Sequence, residues 1–308
     1  MREYLGIHED VEKSLLKGKA VVALESTIIS HGLPHPENLR MALEIEEIVR
    51  NAGATPATIA VLDGRLRVGL DREELEYLAT ARGIKKASVR DLPLMLAQKT
   101  PGATTVASTA TIAAWAGIQL FVTGGIGGVH RGASATFDIS ADLTVLGRTP
   151  IAVVCAGAKS VLDIPGTLEY LETLGVTVVG YGTDRFPGFY VRETPHPVDG
   201  RVDTPEEAAR VIRARLDLGL PGGVLVANPV PTEVALGRDL HDRILAEALE
   251  ALDQERIRGK DVTPFLLARF KDASGGASLR ANLGLIRSNA AVGAAIASAL
   301  AELRGGAR

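Results

Sequence analysis

Short, unbroken apolar runs punctuate the chain, each too short for a helix and each followed by residues that turn the backbone or start a helix. Ala20-Val-Val-Ala-Leu24, Thr58-Ile-Ala-Val-Leu62, Leu120-Phe-Val-Thr123, Ile151-Ala-Val-Val-Cys-Ala156 and Gly223-Val-Leu-Val-Ala227 fit this description, and Val176-Thr-Val-Val179 reads as a further strand interrupted by Thr177. A strand with one wet face alternates apolar and polar side chains. A continuous apolar run belongs to a strand covered on both faces, the situation of a largely parallel sheet with helices above and below it. Helical segments lie between the runs. Glu37-Asn38 opens one that passes through Ile45 and Val49 and closes at Gly53, and others are expected over Arg72 to Arg82 and Thr104 to Ala116. Asp163 as cap, Pro165 in the first turn and Gly175 past the end bracket another, so Ile151 to Val179 reads as a βαβ unit. Beyond Ala227 the chain reads as helical apart from Ser274-Gly-Gly276, with a last helix from Ser278 to Leu303.

This alternation predicts an α/β fold, a three-layer α/β/α sandwich around a mixed, largely parallel sheet. A β/α barrel is disfavoured, because the regular units are too few and Asp63-Gly64 folds Thr58–Leu62 back onto Arg65-Leu-Arg-Val-Gly69 as a hairpin. No repeat or long linker divides the chain, so residues 1–308 are expected as a single domain. Segment 1–18, with Val11, Leu15 and Leu16 on one face, is expected to pack on it as an N-terminal helix.

Charge and cysteine content narrow the function. Lys and Arg total 34 against 37 Asp and Glu, and a net charge of -3 provides no footprint for nucleic acid. The single cysteine, Cys155, excludes an internal disulfide and sits in a Val-rich run as a packing residue. The charged N-terminus lacks a signal-peptide core. The most apolar stretch, Ala110 to Val122, is broken by Gln119 and is shorter than the ~20 residues a membrane span needs. These features point to a soluble cytoplasmic protein that binds neither membrane nor nucleic acid.

Ligands of open α/β sheets bind beyond the carboxyl ends of the strands, so the residues just past the apolar runs are the ones to weigh. Lys159 follows Ile151–Ala156; it is either an amine nucleophile for Schiff-base chemistry or a loop lysine reaching solvent. Glu25 ends the first run, where burial would raise its pKa and suit it to general acid work, or where it simply pairs with a neighbour. Asp138 and Asp142 stand among Thr136 and Ser140, an all-oxygen set suited to a hard cation and equally compatible with an ordinary loop.

The segment Gly124-Gly-Ile-Gly-Gly-Val-His-Arg-Gly132 is not a dinucleotide fingerprint, since His130 stands where the third glycine belongs. It remains a strand end whose amides can face a ligand closely, flanked by Thr123 and His130. Lys86 and the hydroxyl run Thr104, Thr105, Ser108 and Thr109 suit phosphate at a helix N-terminus, or plain capping. Asn282 and Asn289 lie two turns apart on an otherwise apolar helix face and need partners, either ligand or backbone.

Longer blocks carry a resemblance. Ala23-Leu-Glu-Ser-Thr-Ile-Ile-Ser-His-Gly-Leu-Pro-His-Pro-Glu-Asn38, the Thr123–Gly132 segment, Phe137-Asp-Ile-Ser-Ala-Asp-Leu143 and Cys155-Ala-Gly-Ala-Lys-Ser-Val-Leu-Asp-Ile-Pro165 come first. Asn228-Pro-Val-Pro231, Thr263-Pro-Phe-Leu-Leu267 and Ser278-Leu-Arg-Ala-Asn282 follow in the same order. Together they resemble the pseudouridine-5'-phosphate glycosidase family. That resemblance implies reversible cleavage of the carbon-carbon bond between uracil and ribose 5-phosphate, with Lys159 as nucleophile and Glu25 as proton donor. It implies Asp138 as ligand to a mostly water-coordinated Mn2+, and substrate contacts from Lys86, Val106, Ser140, Ala141 and Asp142. Thr123, His130 and Asn282 would line the pocket, and the molecule would be a homotrimer. The departures are Thr232, where an acidic residue is expected, and a basic segment from Arg269 to Ala273. A Schiff-base aldolase acting on another phosphosugar and a non-catalytic phosphosugar-binding protein are the competing readings.

Overall fold

The structure, a computed structural model, describes residues 3–255, 257 and 262–305. The ends of the expected 1–308 domain, residues 1, 2 and 306–308, lie outside the described residues, as do the side chains of Thr263 and Pro264. The chain begins β1 (Leu5–Ile7), α1 (Glu9–Leu16) and β2 (Val21–Leu24), then makes a π-helical turn at Ile28–Gly32. It continues through α2 (Glu37–Asn51), β3 (Thr55–Leu62), β4 (Arg65–Val68), α3 (Arg72–Thr80), β5 (Lys85–Ala87), α4 (Leu92–Gln98) and β6 (Gly102–Thr104). Next come α5 (Val106–Trp115), β7 (Leu120–Val122), α6 (Ala133–Thr136), α7 (Ala141–Leu146), β8 (Ala152–Cys155), α8 (Ile164–Thr173) and β9 (Thr177–Tyr181). The chain closes with β10 (Gly200–Val202), α9 (Pro205–Asp217), β11 (Val224–Ala227), α10 (Arg238–Gln254), α11 (Val262–Ala273) and α12 (Ala277–Gly305).

All the strands join one sheet, ordered β1-β4-β3-β2-β7-β8-β11-β9-β10, with β6 on β3 and β5 on β6. From β3 through β10 along this order the pairs are parallel, while β4 and β6 run antiparallel to β3. The sheet is thus mixed and largely parallel with helices on both sides, as the apolar runs predict. Every residue of β2, β8 and β11 is buried. One helical layer contains α2, α9 and α12, with α12 lying on β2, β7 and β8; α5, α7 and α8 pack together in the other.

Helix α12, rather than the Ala110–Val122 stretch, is long and apolar enough to cross a membrane by length and composition. Here it is a core helix. An added Cβ on Gly293 would come within 2.2 Å of Val122 Cγ2, so α12 can lie this close to β7 only because that residue is glycine.

Register positions the site. Leu24 pairs with Val122, Val122 with Val154, and Val154 with Val226. The residues that follow, Glu25, Thr123, Cys155 and Ala227, therefore stand in one row at the carboxyl edge of the sheet.

The N-terminal segment departs from expectation. Leu5–Ile7 is a strand paired in parallel with β4 before the helix begins, because its alternating residues suit a half-covered edge. On α1, Val11 is buried but Leu16 is 83% exposed. Five residues of helix turn Leu16 about 140° away from Val11, so it cannot share Val11's face.

Candidate active site

Glu25 is fixed by its chain neighbours. Ser26 Oγ donates to Ile59 O at 2.6 Å and accepts from Thr104 N at 2.8 Å, and Thr27 Oγ1 donates to Thr104 O at 2.7 Å. These bonds tie the end of β2 to β3 and β6. The following π turn is held by Asn38, whose Nδ2 donates to Ile29 O at 2.8 Å and to Ala79 O at 2.9 Å. Beneath it a small apolar core of Ile29, Leu62, Leu75, Leu78 and Ile84 anchors the turn. Beside Glu25 in the sheet register, the Thr123 hydroxyl donates a hydrogen bond to Glu25 Oε1. Burial pushes the Glu25 carboxyl above the usual carboxylate range; the Lys159 charge and the Thr123 hydrogen bond offset part of that rise.

Lys159 reaches the same edge through a loop folded on the glycine-rich segment. Ile126 N donates to Gly157 O at 3.1 Å and Lys159 N donates to Ile126 O at 3.0 Å. Among the described residues Lys159 has no ion pair and no side-chain hydrogen bond. Lys86, on β5, is open to solvent as a residue, but its ammonium lies near Lys159, Asp142 and Glu25. Desolvation and the Lys159 charge hold it below the usual lysine range, against the two carboxyl groups. Burial likewise lowers His130, opposed by Asp138, so its imidazole is favoured in the neutral form. Cys155, in the same row, is not a competing nucleophile, since burial pushes its thiol up to about 12.

Asp142 differs from its sequence-based reading as one of two aspartates in a loop. It lies in the first turn of α7, capped by Ser140, whose Oγ accepts from Asp142 N at 3.2 Å. Its buried carboxylate accepts from Ala107 N at 2.9 Å and from Gly127 N at 2.8 Å, clamping the start of α5 to the glycine-rich loop. Gly127 is part of this clamp: an added Cβ would come within 2.3 Å of Ser140 Oγ and 2.8 Å of Asp142 Oδ2. Asp142→Asn turns an NH2 group toward one of those amides. A buried donor left unpaired costs about 1–3 kcal/mol. The expected result is a thermal midpoint lower by several degrees together with weaker substrate binding, read by calorimetry and KM.

The remaining sequence-predicted residues fall into the same region. Val106 and Ala141 are the first residues of α5 and α7, where a backbone amide lacks an intrahelical acceptor, so what each offers a ligand is its N–H. Asn282 Oδ1 lies beside Gly124. Asn289, read together with Asn282, is instead fully buried and bonded to the sheet: its Nδ2 donates to Thr123 O at 2.9 Å and its Oδ1 accepts from Asn228 Nδ2 at 2.9 Å. Asn228 was visible in sequence only as the start of the Asn228-Pro-Val-Pro231 turn.

Asp138 offers a metal ion one half-exposed carboxylate, with His130 Nδ1 3.9 Å from its Oδ2. Among the described residues no group of three or more His, Cys, Asp or Glu could hold a metal. A single open carboxylate cannot form a protein cage, but it fits a hard divalent ion that keeps most of its water.

A partly buried acid, a lysine with no ion pair or side-chain hydrogen bond among the described residues, and a second lysine thus stand near one edge of the sheet of an α/β fold. The chain belongs to the family described as indigoidine synthase A like protein, whose model matches residues 10–299. Within that family it stands with the pseudouridine-5'-phosphate glycosidases. The enzyme of that name from Symbiobacterium thermophilum is 62% identical, over 97% of this chain and 99% of its own. Its counterpart from Caldanaerobacter subterraneus subsp. tengcongensis is 54% identical, over 98% and 99%. Among solved structures, the prealnumycin C-glycosynthase AlnA in complex with ribulose 5-phosphate superposes with a TM-score of 0.92 at 42% identity, covering 99% of each chain. An indigoidine synthase A-like protein from Thermotoga maritima gives 0.85 at 36% identity, over 92% of this chain and 94% of that one.

Proposed function

We propose that this chain reversibly cleaves the carbon-carbon glycosidic bond of pseudouridine 5'-phosphate to uracil and ribose 5-phosphate. The observation that carries the reading is the meeting of Glu25, Thr123 and an unpartnered Lys159 at one edge of the sheet. Ordinary glycosidases protonate a heteroatom leaving group with one of two carboxyl groups. Here the leaving atom is carbon, and an amine solves the problem.

Lys159 Nζ bonds to the sugar carbon that bears the base as that carbon's bond to the ring oxygen breaks, and the oxygen takes a proton. The carbon-carbon bond then breaks. Its electron pair goes to the uracil carbon, which takes the Glu25 proton, while the lysine nitrogen closes an imine to the sugar. Water hydrolyses the imine, releasing ribose 5-phosphate and the free amine. Thr123 orients Glu25, and Lys86 with the Val106 amide faces the phosphate. Ser140, Ala141, His130 and Asn282 are assigned to substrate contact, and Asp142 to holding the Ala107 and Gly127 amides beside them. Bound at Asp138 among its waters, Mn2+ would supply a fixed positive charge for anionic substrate groups. Removing metal with a chelator is expected to weaken substrate binding and to be reversed by Mn2+; full activity in demonstrably metal-free protein would make Asp138 a structural residue.

The test is a substrate panel. Uracil release from pseudouridine 5'-phosphate, with no turnover of aldol phosphosugars, is expected. Cleavage of an aldol phosphosugar with no uracil release would favour an aldolase, which shares the need for Lys159. Binding without turnover of either would favour a phosphosugar-binding protein. The assembly is proposed as a homotrimer, which sedimentation equilibrium of the purified chain will confirm or refute.

A further inference from the structure

We infer that Asn289 is a positioning residue for the acid: by holding the Thr123 carbonyl from the helical layer, it sets the direction of the hydroxyl that bonds Glu25. The inference rests on the reading of Glu25 as proton donor. The Thr123 backbone is held at both ends of its residue. Its N–H donates to Val154 O at 3.1 Å within the sheet, but beyond Val122 β7 has ended, and its carbonyl no longer belongs to the ladder. The only bond to that carbonyl among the described residues comes from Asn289 Nδ2 at 2.9 Å. The same NH2 group lies 3.4 Å from Gly124 O. Both targets can only accept, so the amide orientation is fixed by chemistry, and the oxygen must face a donor. Asn228 supplies one from the end of β11 at 2.9 Å, and Asn228 is itself held by its own N–H to Cys155 O at 2.8 Å.

The ends of β7 and β11 are thereby joined through one side chain. Thr123 and Asn289 are fully excluded from solvent and Asn228 is nearly so, which makes each of these bonds costly to leave unmade. Position on α12 matters as well. Gly293, one turn after Asn289, lets α12 approach β7 closely enough for a short asparagine to span the gap.

The test compares Asn289→Ala, Thr123→Val and the double variant by two readouts. The first is the titration of Glu25 in substrate-free protein, followed as the infrared carboxyl band that is missing from Glu25→Gln. The second is kcat and KM for uracil release. A hydroxyl bond to Glu25 favours its charged form, so losing that bond should raise the titration midpoint in Thr123→Val, and Asn289→Ala should move it in the same direction. Asn289→Ala is expected to lower kcat roughly tenfold, the value of one hydrogen bond, with KM little changed. In the Thr123→Val background the same change should cost no more than about twofold, because the two residues act through one bond. An unmoved Glu25 midpoint, with kcat losses that multiply, would overturn the inference. If Asn289→Ala does not fold, Asn228→Ala releases the asparagine oxygen more gently and is read the same way. Wild-type protein that releases no uracil would refute the proposed reaction, while the substrate-free titration would still decide the role of Asn289.

Discussion

Lys159→Ala protein is expected to fold normally and to lose uracil release by about four orders of magnitude or more, the scale seen when a covalent nucleophile is deleted. Its fold should survive because the native contact of Lys159 with the glycine-rich loop is made by its backbone N–H, which alanine retains. The loss should fall on kcat, since the groups proposed to bind phosphate, Lys86 and the helix-start amides, remain. Lys159→Arg should be equally inactive: guanidinium keeps the charge but does not give up a proton to become a nucleophile. If Lys159→Ala kept even a hundredth of wild-type turnover, the amine would be a binding group.

Glu25→Gln should show the second-largest effect. Glutamine keeps the shape and the Thr123 hydrogen bond but has no proton to give, so kcat should fall by roughly 10²–10⁴, the contribution of a positioned general acid. KM should stay within about threefold, since the carboxyl group is not asked to bind substrate more tightly in the ground state. A proton donor at Glu25 works in its protonated form. Activity should therefore hold below the raised Glu25 pKa and decline as pH rises through it, giving the alkaline limb of the kcat/KM profile.

Stability has the same sign. Between the ordinary value of 4.5 and the raised native value, the folded protein keeps a proton that the unfolded chain has released. Stability contributed by Glu25 is therefore lost progressively as pH rises across that window. Glu25→Gln should remove this slope from the pH dependence of the thermal midpoint.

Much of the fold was legible because burial on both faces writes itself into sequence as unbroken apolar runs. Ala20–Leu24, Ile151–Ala156 and Gly223–Ala227 became the central strands β2, β8 and β11, and Asp63-Gly64 made the expected hairpin. The capping chemistry of Asp163 and Pro165 likewise marked the start of α8. What was not legible lies in three-residue strands, β1, β5, β6 and β10, which carry too little periodicity to stand out and form because neighbours supply their hydrogen bonds. Lys86 illustrates the consequence. Only the pairing of β5 with β6 brings it to the mouth of the site, across from Lys159.

The site shows the same division. Glu25, Thr123 and Lys159 were found because they end strands, and register then brought them together. Asp142 and Asn289 were noticed as residues, but not for what they do. The first clamps amides 35 and 15 positions away, and the second holds a carbonyl 166 positions away. A polar side chain that serves distant backbone leaves no local pattern, only a polar residue on an apolar face.

The most direct test of the central claim is to trap the sugar adduct. Wild-type protein incubated with ribose 5-phosphate and reduced with borohydride, then digested and mapped by mass spectrometry, should carry the reduced phosphosugar on Lys159 and on no other lysine. Adduct at Lys86 with Lys159 unmodified would contradict the assignment of the nucleophile.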